Sequence, residues 1–436
     1  MARRRKEPRL GFVDFCRIDD KGKVHCDARE STRKKFGVPR WLPVEKEQKS
    51  QIKGKPGPHS TKVGSGWKAK DGSPFFSSTS KVHTPTWGIP PAHTCPMIAE
   101  PVLEWLKDAV QHGKDKKPVE LVTRLMKEVP RKCLACYATT GNYVYAETQQ
   151  AMANRMDWFN NTSDKEVEDT LVHAIKHAGN EECSPKSGCK YTPGVQSKYF
   201  RAFDAGDFQS ARDIRIWHNV AKRLPDTRFW FPTTAWNGVC GSQPEERAAM
   251  RKALESLHSE PNVTVRPSAP GMDVPAAKVS GLGEGTAVVE KVTAHRGAET
   301  YYGGKERKKG NWTRICDKDT QSCVDHWVCP GNCALCRKCW SKDVPVVYKR
   351  HGLKPNAKNI LKLVRKVVGI EQHKKSSKSA AFERADTAIR DNFAKLFAKI
   401  SDGPVPTQLV KAATAASSTE LKEIEKRFPT PKTEKV

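Results

Sequence analysis

Cysteines are the residues of this sequence whose type and spacing point to chemistry. A first group consists of Cys133 and Cys136, separated by two residues, and of Cys95, from which 37 residues lead to Cys133. Thiolates bind zinc and the irons of iron–sulfur clusters. Because ligands need to be close in space only, the long interval does not exclude a shared site. We predict a metal or iron–sulfur site at these three residues.

A second group of cysteines lies towards the C-terminus and consists of Cys316, Cys323, Cys329, Cys333, Cys336 and Cys339. Such a group can form a four-thiolate zinc site or hold a second iron–sulfur cluster, since both use cysteine and spacing rarely decides between them. A segment with little regular structure gains most from a closed metal site, which favours zinc or another structural metal. We predict that all six are metal ligands.

The chain has 14 cysteines in all. With no secretory signal in the sequence, we expect a reducing compartment, where closely spaced cysteines favour metal ligation over disulfides. Cys16, Cys26 and Cys240 are predicted to be packed thiols. Cys183 and Cys189 are either a metal site in a loop or a chance pair, and we favour the chance pair.

The elements that must position these thiols alternate between strand and helix patterns. After Cys136, strands are predicted at 198–203, 228–231, 263–265 and 286–289, with amphipathic helices between the first three. Strands that alternate with helices predict an α/β fold with a parallel sheet, either open or curled towards a partial TIM-like barrel.

Polar residues follow three of the predicted strands. These clusters are Asp204-Ala205-Gly206-Asp207, Thr233-Thr234 and Arg266-Pro267-Ser268. Loops and helix N-termini converge at the carboxyl ends of parallel strands, which is where such folds bind ligands. Each cluster alone is explained by helix caps and turns, but their repetition at equivalent ends predicts a site.

The composition divides the chain into four parts. Residues 1–83 form a basic, poorly ordered arm, and residues 84–300 form the α/β core that contains Cys95, Cys133 and Cys136. Residues 301–350 form the cysteine-rich metal-binding module. Residues 351–436 form a basic helical tail with an apolar stripe at helical spacing, which predicts a face for core packing or self-association.

The excess of 77 Lys and Arg over 49 Asp and Glu gives a formal net charge of +28. Such a charge attracts nucleic acid or another polyanion through an interaction that salt screens, although a solvated basic surface explains it equally well. We find no apolar stretch of spanning length and no signal sequence, so we expect no membrane partner and a cytoplasmic protein. The oligomeric state is not predicted.

The spacing of Cys329, Cys333 and Cys336 is the usual one of radical S-adenosylmethionine enzymes, but the order of elements favours the first group for that chemistry. In such enzymes the cysteine motif precedes most of the barrel that covers the substrate. After Cys136 the chain offers four strand–helix steps, whereas after Cys336 it offers one strand and basic helices. A reactive radical requires shielding, which the second group could not provide.

Four segments resemble those of a bacteriophage family known as gene product eighty-eight. They are residues 85–96, Cys133-Leu-Ala-Cys136-Tyr137-Ala138, Asp204-Ala-Gly206-Asp207-Phe208 and Cys333-Ala-Leu-Cys336-Arg-Lys-Cys339-Trp340. In its cysteine loop and strand–helix order, this family is similar to radical S-adenosylmethionine proteins. That likeness implies a [4Fe-4S] cluster on Cys95, Cys133 and Cys136, with the fourth iron left for the amino and carboxylate groups of S-adenosylmethionine. If the protein is encoded by a phage, its place is the host cell cytoplasm.

The same likeness implies cofactor contacts by Tyr137, Gly206, Asp207, Arg266, Ser268 and Gly283. Gly206 and Asp207 stand where radical enzymes have a glycine–acid motif that meets the methionine amino group. Arg266 and Ser268 would contact ribose or carboxylate, and the loop containing Gly283 would approach the adenine. Tyr137 departs from the pattern, since it follows the last cysteine where those enzymes usually place an aromatic residue before it.

Two functions from different classes follow. The first is an iron–sulfur protein that acts as a radical S-adenosylmethionine-like enzyme on an unknown substrate, which could be a nucleic acid. The alternative is a non-catalytic nucleic-acid-binding protein whose cysteines hold zinc, with phosphate contacts from its basic segments.

Overall fold

We describe the fold from a computed structural model. The described residues are 16–18, 24–26, 42–43, 67–68, 75–78, 82, 84–112, 118–129, 131–134, 136–184, 188–192, 194–237, 244–289, 312–316, 323–329, 333–349, 357–367, 380–398 and 422. Most of the predicted N-terminal arm, the residue Cys240 and most of the C-terminal tail beyond residue 398 lie outside them.

Fifteen strands are present in the described residues. They are β1 Cys16–Ile18, β2 Val24–Cys26, β3 Leu42–Pro43, β4 Trp67–Lys68, β5 Ser77–Ser78, β6 Pro85–Trp87, β7 Asn180–Ser184, β8 Gly188–Thr192, β9 Tyr199–Ala202, β10 Arg228–Thr233, β11 Val263–Met272, β12 Thr286–Val289, β13 Trp312–Cys316, β14 Cys323–Val328 and β15 Val346–Lys349. Six of them form separate antiparallel pairs: β1 with β2, β3 with β4, and β7 with β8.

The remaining strands form one nine-stranded sheet in the order β5-β6-β9-β10-β11-β12-β15-β14-β13. The strands β6, β9, β10, β11, β12 and β15 are parallel and follow one another across the sheet in chain order. β14 is parallel to β15, while β5 and β13 are antiparallel edge strands. The predicted α/β class and its mostly parallel sheet are confirmed. The sheet is not closed, because its edges do not pair with each other in the described part of the chain.

The α-helices of the described residues are α1 Pro96–His112, α2 Pro118–Glu128, α3 Arg131–Leu134, α4 Ala146–Asn161, α5 Asp164–Lys176, α6 Ala211–Lys222, α7 Pro244–Ser259, α8 Cys333–Cys336, α9 Ala357–Val367 and α10 Ala380–Ala398. Capping residues fix two of the helix starts. The Ser163 hydroxyl accepts from the Glu166 amide before α5, and the Ser210 hydroxyl accepts from the Asp213 amide before α6.

The main core lies between the sheet and helices α5, α6 and α7. Phe229 and Phe231 of β10 turn towards these helices and are buried with Trp217 of α6. Trp230 lies between them in the strand and therefore points to the other face, where its ring centroid is 5.2 Å from that of Trp340. This alternation leaves the second face of the sheet for the cysteine-rich segment.

A second apolar core joins helices α1, α2 and α3 to the C-terminal helices α9 and α10. Val102 and Leu106 of α1 pack with Leu125 of α2, Leu363 of α9 and Phe397 of α10. The C-terminal helices therefore contribute to the layer that carries the first cysteines. In the described residues no helix is long and apolar enough to span a membrane.

Candidate functional site

The three thiols of the first group come together beyond the carboxyl end of β6. Burial raises the pKa of the Cys95 thiol well above its usual value, and the negative charges of nearby Cys136, Asp207 and Cys133 add to that rise. The Cys136 amide donates to the Cys133 carbonyl at 3.3 Å, which closes the short loop between them. None of the three forms a disulfide. The predicted proximity across the 37-residue interval is therefore present.

Local hydrogen bonds position Cys95 at the start of α1. The Thr94 hydroxyl and amide both bond the Pro90 carbonyl, at 2.8 and 3.1 Å, and form a tight turn after β6. The Cys95 carbonyl then accepts from the amides of Ile98 and Ala99 as the helix begins. These hydrogen bonds fix the position of Cys95 at the start of α1.

Gly206 lies against the turn that carries Cys95. Its φ is +80°, and a Cβ there would come within 2.5 Å of the Ile89 side chain and 2.6 Å of the Thr94 hydroxyl. Only glycine permits both the left-handed backbone and this close approach. The predicted neighbourhood of the glycine–acid segment and the first cysteine group is present.

The Asp207 carboxylate is fully occupied by protein donors. One oxygen accepts from the Phe208 amide and the Thr233 hydroxyl, and the other accepts from the amide and hydroxyl of Thr234. A carboxylate has about four acceptor sites, so none is left for a ligand. Two of the predicted polar clusters therefore meet, but Asp207 connects the loops after β9 and β10 and does not reach outwards.

Asp204 attaches the segment after Cys136 to the end of β9. The hydroxyls of Tyr137 and Tyr143 donate to the Asp204 carbonyl at 2.5 and 3.2 Å, and the Tyr143 hydroxyl also contacts the Asp204 carboxylate at 3.3 Å. Burial raises the pKa of the Asp204 carboxyl, and the guanidinium groups of Arg201 and Arg155 offset part of that rise. The Tyr137 ring is 40% exposed, but its hydroxyl lies in the interior.

Four cysteines of the second group line one pocket. These are Cys329, Cys333, Cys336 and Cys339, on the loop after β14, on α8 and in the turn that follows it. The cavity volume is about 10 Å³. This is about the space of one water-sized sphere, far less than an organic ligand needs.

The electrostatics of this pocket resemble those of the first group. Burial raises the pKa of the Cys333 thiol to about 12, with further contributions from Cys339 and Cys329. Burial raises the pKa of Cys339 to about 11, although Arg266 and a 3.0 Å contact to the Tyr348 hydroxyl lower it in part. Like charges that repel one another in a buried pocket are stabilised by a bound cation.

Arg266 holds the second cysteine group in place. Its guanidinium is fully buried and donates to the carbonyls of Lys338, Cys339, Ser341, Glu284, Gly285 and Val344. All its N–H donors are directed at these backbone oxygens. The predicted contact of Arg266 with ribose or carboxylate is therefore wrong for this arrangement, because no donor remains for a ligand.

Ser268 and Gly283 lie on neighbouring segments of the sheet. Ser268 is half-buried within β11, where the register becomes irregular and not beyond the strand as predicted, and its hydroxyl is 3.4 Å from that of Thr286. A Cβ at Gly283 would come within 3.1 Å of the Val265 carbonyl. The close backbone approach predicted at Gly283 is thus made to the protein itself, while a role of Ser268 towards a ligand stays a prediction.

Cys316 and Cys323 are separate from the four-cysteine pocket. They are directly opposite each other in the antiparallel register of β13 and β14. Cys323 is disulfide-bonded, so its sulfur is not available as a thiolate ligand in this state. We therefore remove Cys323 from the predicted ligand set, while the role of Cys316, whose side chain lies outside the described part of the chain, stays a prediction.

Both cysteine groups offer thiols as potential metal ligands. Within the described ranges, no group of three or more His, Cys, Asp or Glu side chains is arranged to hold a metal ion. The first group offers three thiols, and the nearest acid, Asp207, is saturated. The second group offers four thiols.

Residues of the site that the sequence did not indicate are Arg201, Tyr143 and Arg155. Arg201 lies on the same face of β9 as Tyr199, opposite the buried Phe200 and Ala202. The sequence signal that could have indicated Arg201 is a charged residue within the otherwise uncharged strand Tyr-Phe-Arg-Ala. Tyr143 and Arg155 carry no comparable signal, since both lie in helical segments where polar residues are common.

The comparisons with known proteins identify the family. The model of the family described as Gene product 88 matches residues 55–342, which include both cysteine groups. No curated protein and no solved structure matches the chain significantly. Since the match spans well over half of the sequence, this chain belongs to the bacteriophage Gene product 88 family.

Proposed function

We propose that this protein binds a [4Fe-4S] cluster through Cys95, Cys133 and Cys136 and acts as a radical S-adenosylmethionine-like enzyme. The observation that carries the proposal is the meeting of three thiols from separate segments beside Gly206, beyond the ends of parallel strands β6 and β9. Parallel strands that follow in chain order place their loops on one edge, which is where such folds bind ligands.

The donor set supports an open iron. Three cysteines contribute thiols, and Asp207 is already bonded to Thr233, Thr234 and Phe208. With S-adenosylmethionine on the remaining iron, such a cluster supplies one-electron reduction of the sulfonium group.

The chain's own residues position the thiols. Gly206 permits close approach of the β9 loop to the Cys95 turn, and Asp204 holds Tyr137 next to Cys136. Cys95, Cys133 and Cys136 are only half-buried, which leaves access for a small cofactor. Ser268, half-buried within β11, is our remaining candidate for a polar contact to that cofactor.

For the second group we propose that Cys329, Cys333, Cys336 and Cys339 hold zinc or a second iron–sulfur cluster. They line one pocket, which Arg266 fixes to β11 through six carbonyls. This site would stabilise a segment of short helices and turns, because metal binding free energy contributes directly to folding.

We propose a polyanion as the substrate. The net charge of +28 suits a polyanion such as nucleic acid, whose binding would weaken steeply with added salt. Binding of nucleic acid by a zinc-loaded protein without any cluster is the rival function.

The test is anaerobic reconstitution followed by reduction with dithionite in the presence of S-adenosylmethionine. We expect the electron paramagnetic resonance signal of the reduced cluster to change when the cofactor is added, and 5′-deoxyadenosine to be released. Cys95→Ala should abolish both effects. A protein that binds nucleic acid normally and takes up zinc but no iron would support the rival function instead.

A further inference from the structure

Arg201 occupies the space between the two cysteine groups. It lies on β9, and its guanidinium donates to the Tyr137 hydroxyl at 3.0 Å, on the side of the first group. Tyr137 directly follows Cys136 in the chain. Arg201 is therefore one side chain away from a predicted ligand of the first site.

On its other side, Arg201 faces the second group. Its guanidinium carbon lies 4.6 Å from the centroid of the Trp230 ring, within the range of a cation–π contact. Trp230 packs in one apolar cluster with Cys333 and Cys339. A continuous series of contacts thus runs from Tyr137 through Arg201 and Trp230 to the four-cysteine pocket.

The charges along this series agree with the contacts. Arg201 lowers the pKa values of both Cys333 and Cys339, so its positive charge acts on the second group. Burial lowers the pKa of Arg201, but Tyr137, Tyr143 and Asp204 on one side and Tyr348 on the other raise it above its usual value. On the side of the first group the Arg201 charge acts through Tyr137, while Lys366 lowers the pKa of Cys136 itself.

We propose that Arg201 is a positioning residue and shared counter-cation that couples the two metal sites, so that the charge of each sets the reduction potential of the other. This inference rests on the proposed function at the first site. Four thiolates carry a net charge of about −2 with either Zn²⁺ or a [4Fe-4S]²⁺ core, so the coupling holds for both metals at the second site.

The test is a potentiometric titration of the reconstituted full-length protein, monitored by electron paramagnetic resonance. Arg201→Gln removes the cation, which stabilises the reduced and more negative cluster, so the potential of the first site should become more negative. Arg201→Lys keeps the charge and should restore most of the wild-type value. Cys333→Ala removes the negative second site and should shift the first potential in the positive direction.

Lys366→Gln is the matched control, because it removes a cation whose charge acts on Cys136 of the first group. It should shift the first potential and leave Co²⁺ affinity at the second site unchanged. Arg201→Gln should instead weaken that affinity about tenfold, as loss of an outer contact of a metal site does. The Co²⁺ titration needs no iron and so stays informative if no cluster forms.

Failure of the proposed function and failure of the coupling give different results. Wild-type protein without any cluster signal overturns the proposed function. A wild-type cluster whose potential is unaffected by Arg201→Gln and by Cys333→Ala overturns the coupling alone, as does equal behaviour of the Gln and Lys variants. An unchanged Co²⁺ affinity in Arg201→Gln also counts against the coupling.

Discussion

At the scale of single residues, Asp207 illustrates how buried carboxylates organise this edge of the sheet. Its two oxygens accept from Phe208, Thr233 and Thr234, so that one side chain connects the loops after β9 and β10. Hydrogen bonds to a charged group contribute more to stability than neutral ones. Because Asp207 lies near Cys95, the connection between the two loops also helps to position the first cysteine group.

We predict that Asp207→Asn destabilises the protein by about 2 kcal/mol or more, because an amide nitrogen would face the Thr234 donors. Urea unfolding measures the loss, and iron retention should fall with it. The exposed Asp226→Asn is the control and should change stability by less than about 0.5 kcal/mol. Equal stability of the two variants would refute the role of Asp207.

His326 predicts a pH dependence. Its ring is fully buried on β14, donates from Nδ1 to the Val324 carbonyl and accepts at Nε2 from the Ala276 amide. Burial lowers the pKa of His326 from 6.5 to about 4. The folded protein therefore disfavours the protonated ring, and this contribution is complete above about pH 6.5 and is lost as pH falls towards 4.

The loss amounts to at most about 3 kcal/mol. In His326→Gln, which cannot take up a proton, stability should fall less between pH 7 and pH 4.5 than in the wild type. Unfolding midpoints across this range measure the difference. The stability difference between the two proteins at pH 8 gives the part of the effect that does not depend on pH. Parallel curves for the two proteins would contradict the assignment.

At the scale of elements, the C-terminal helices lie on the layer that carries the first cysteine group. His93, two residues before Cys95, contacts the Val367 carbonyl of α9 at 2.7 Å through Nδ1 and the Asn392 amide of α10 at 2.9 Å through Nε2. Asn392 also accepts from Asn160 of α4. Helices α9 and α10, which lie beyond the end of the family match at residue 342, thus support the site.

We predict that Leu363→Ala on α9 costs about 2–5 kcal/mol, since the side chain is 1% exposed among α1 and α2. Its exposed neighbour gives the control, Lys362→Ala, which should have little effect. Urea unfolding and iron retention after reconstitution are the measurements. Retention of iron by a strongly destabilised Leu363→Ala protein would show that α9 does not support the site.

The element pattern of the sequence was informative where it repeated. Alternating strands and helices predicted the parallel sheet, because period and order depend on local residues. The strand predicted at 263–265 is longer, Val263–Met272, since the sheet tolerates Pro267 before a register irregularity between Ser268 and Met272. The apolar stripe of α10 predicted burial, but the partner that covers it depends on distant segments.

At the scale of the whole molecule, chain topology decides which cysteines meet. The sequence indicated both groups by spacing, and the meeting of Cys95 with Cys133 and Cys136 followed from the expected sheet edge. It did not indicate that Cys316 and Cys323 are opposite each other on two strands, because spacing does not reveal register. Nor did it indicate that Arg266 would hold the second cysteine group by hydrogen bonds, since its six carbonyl partners are distant in the sequence.

The division of the thiols into two sites is the central claim, and iron and sulfide analysis of cysteine variants tests it most directly. After anaerobic reconstitution, Cys133→Ala should lose about four irons and all response to S-adenosylmethionine. Cys333→Ala should lose only the metal of the second site, and Cys240→Ala, predicted from sequence to be a packed thiol, should match the wild type. Loss of both sites, or of neither, in Cys133→Ala would contradict this account.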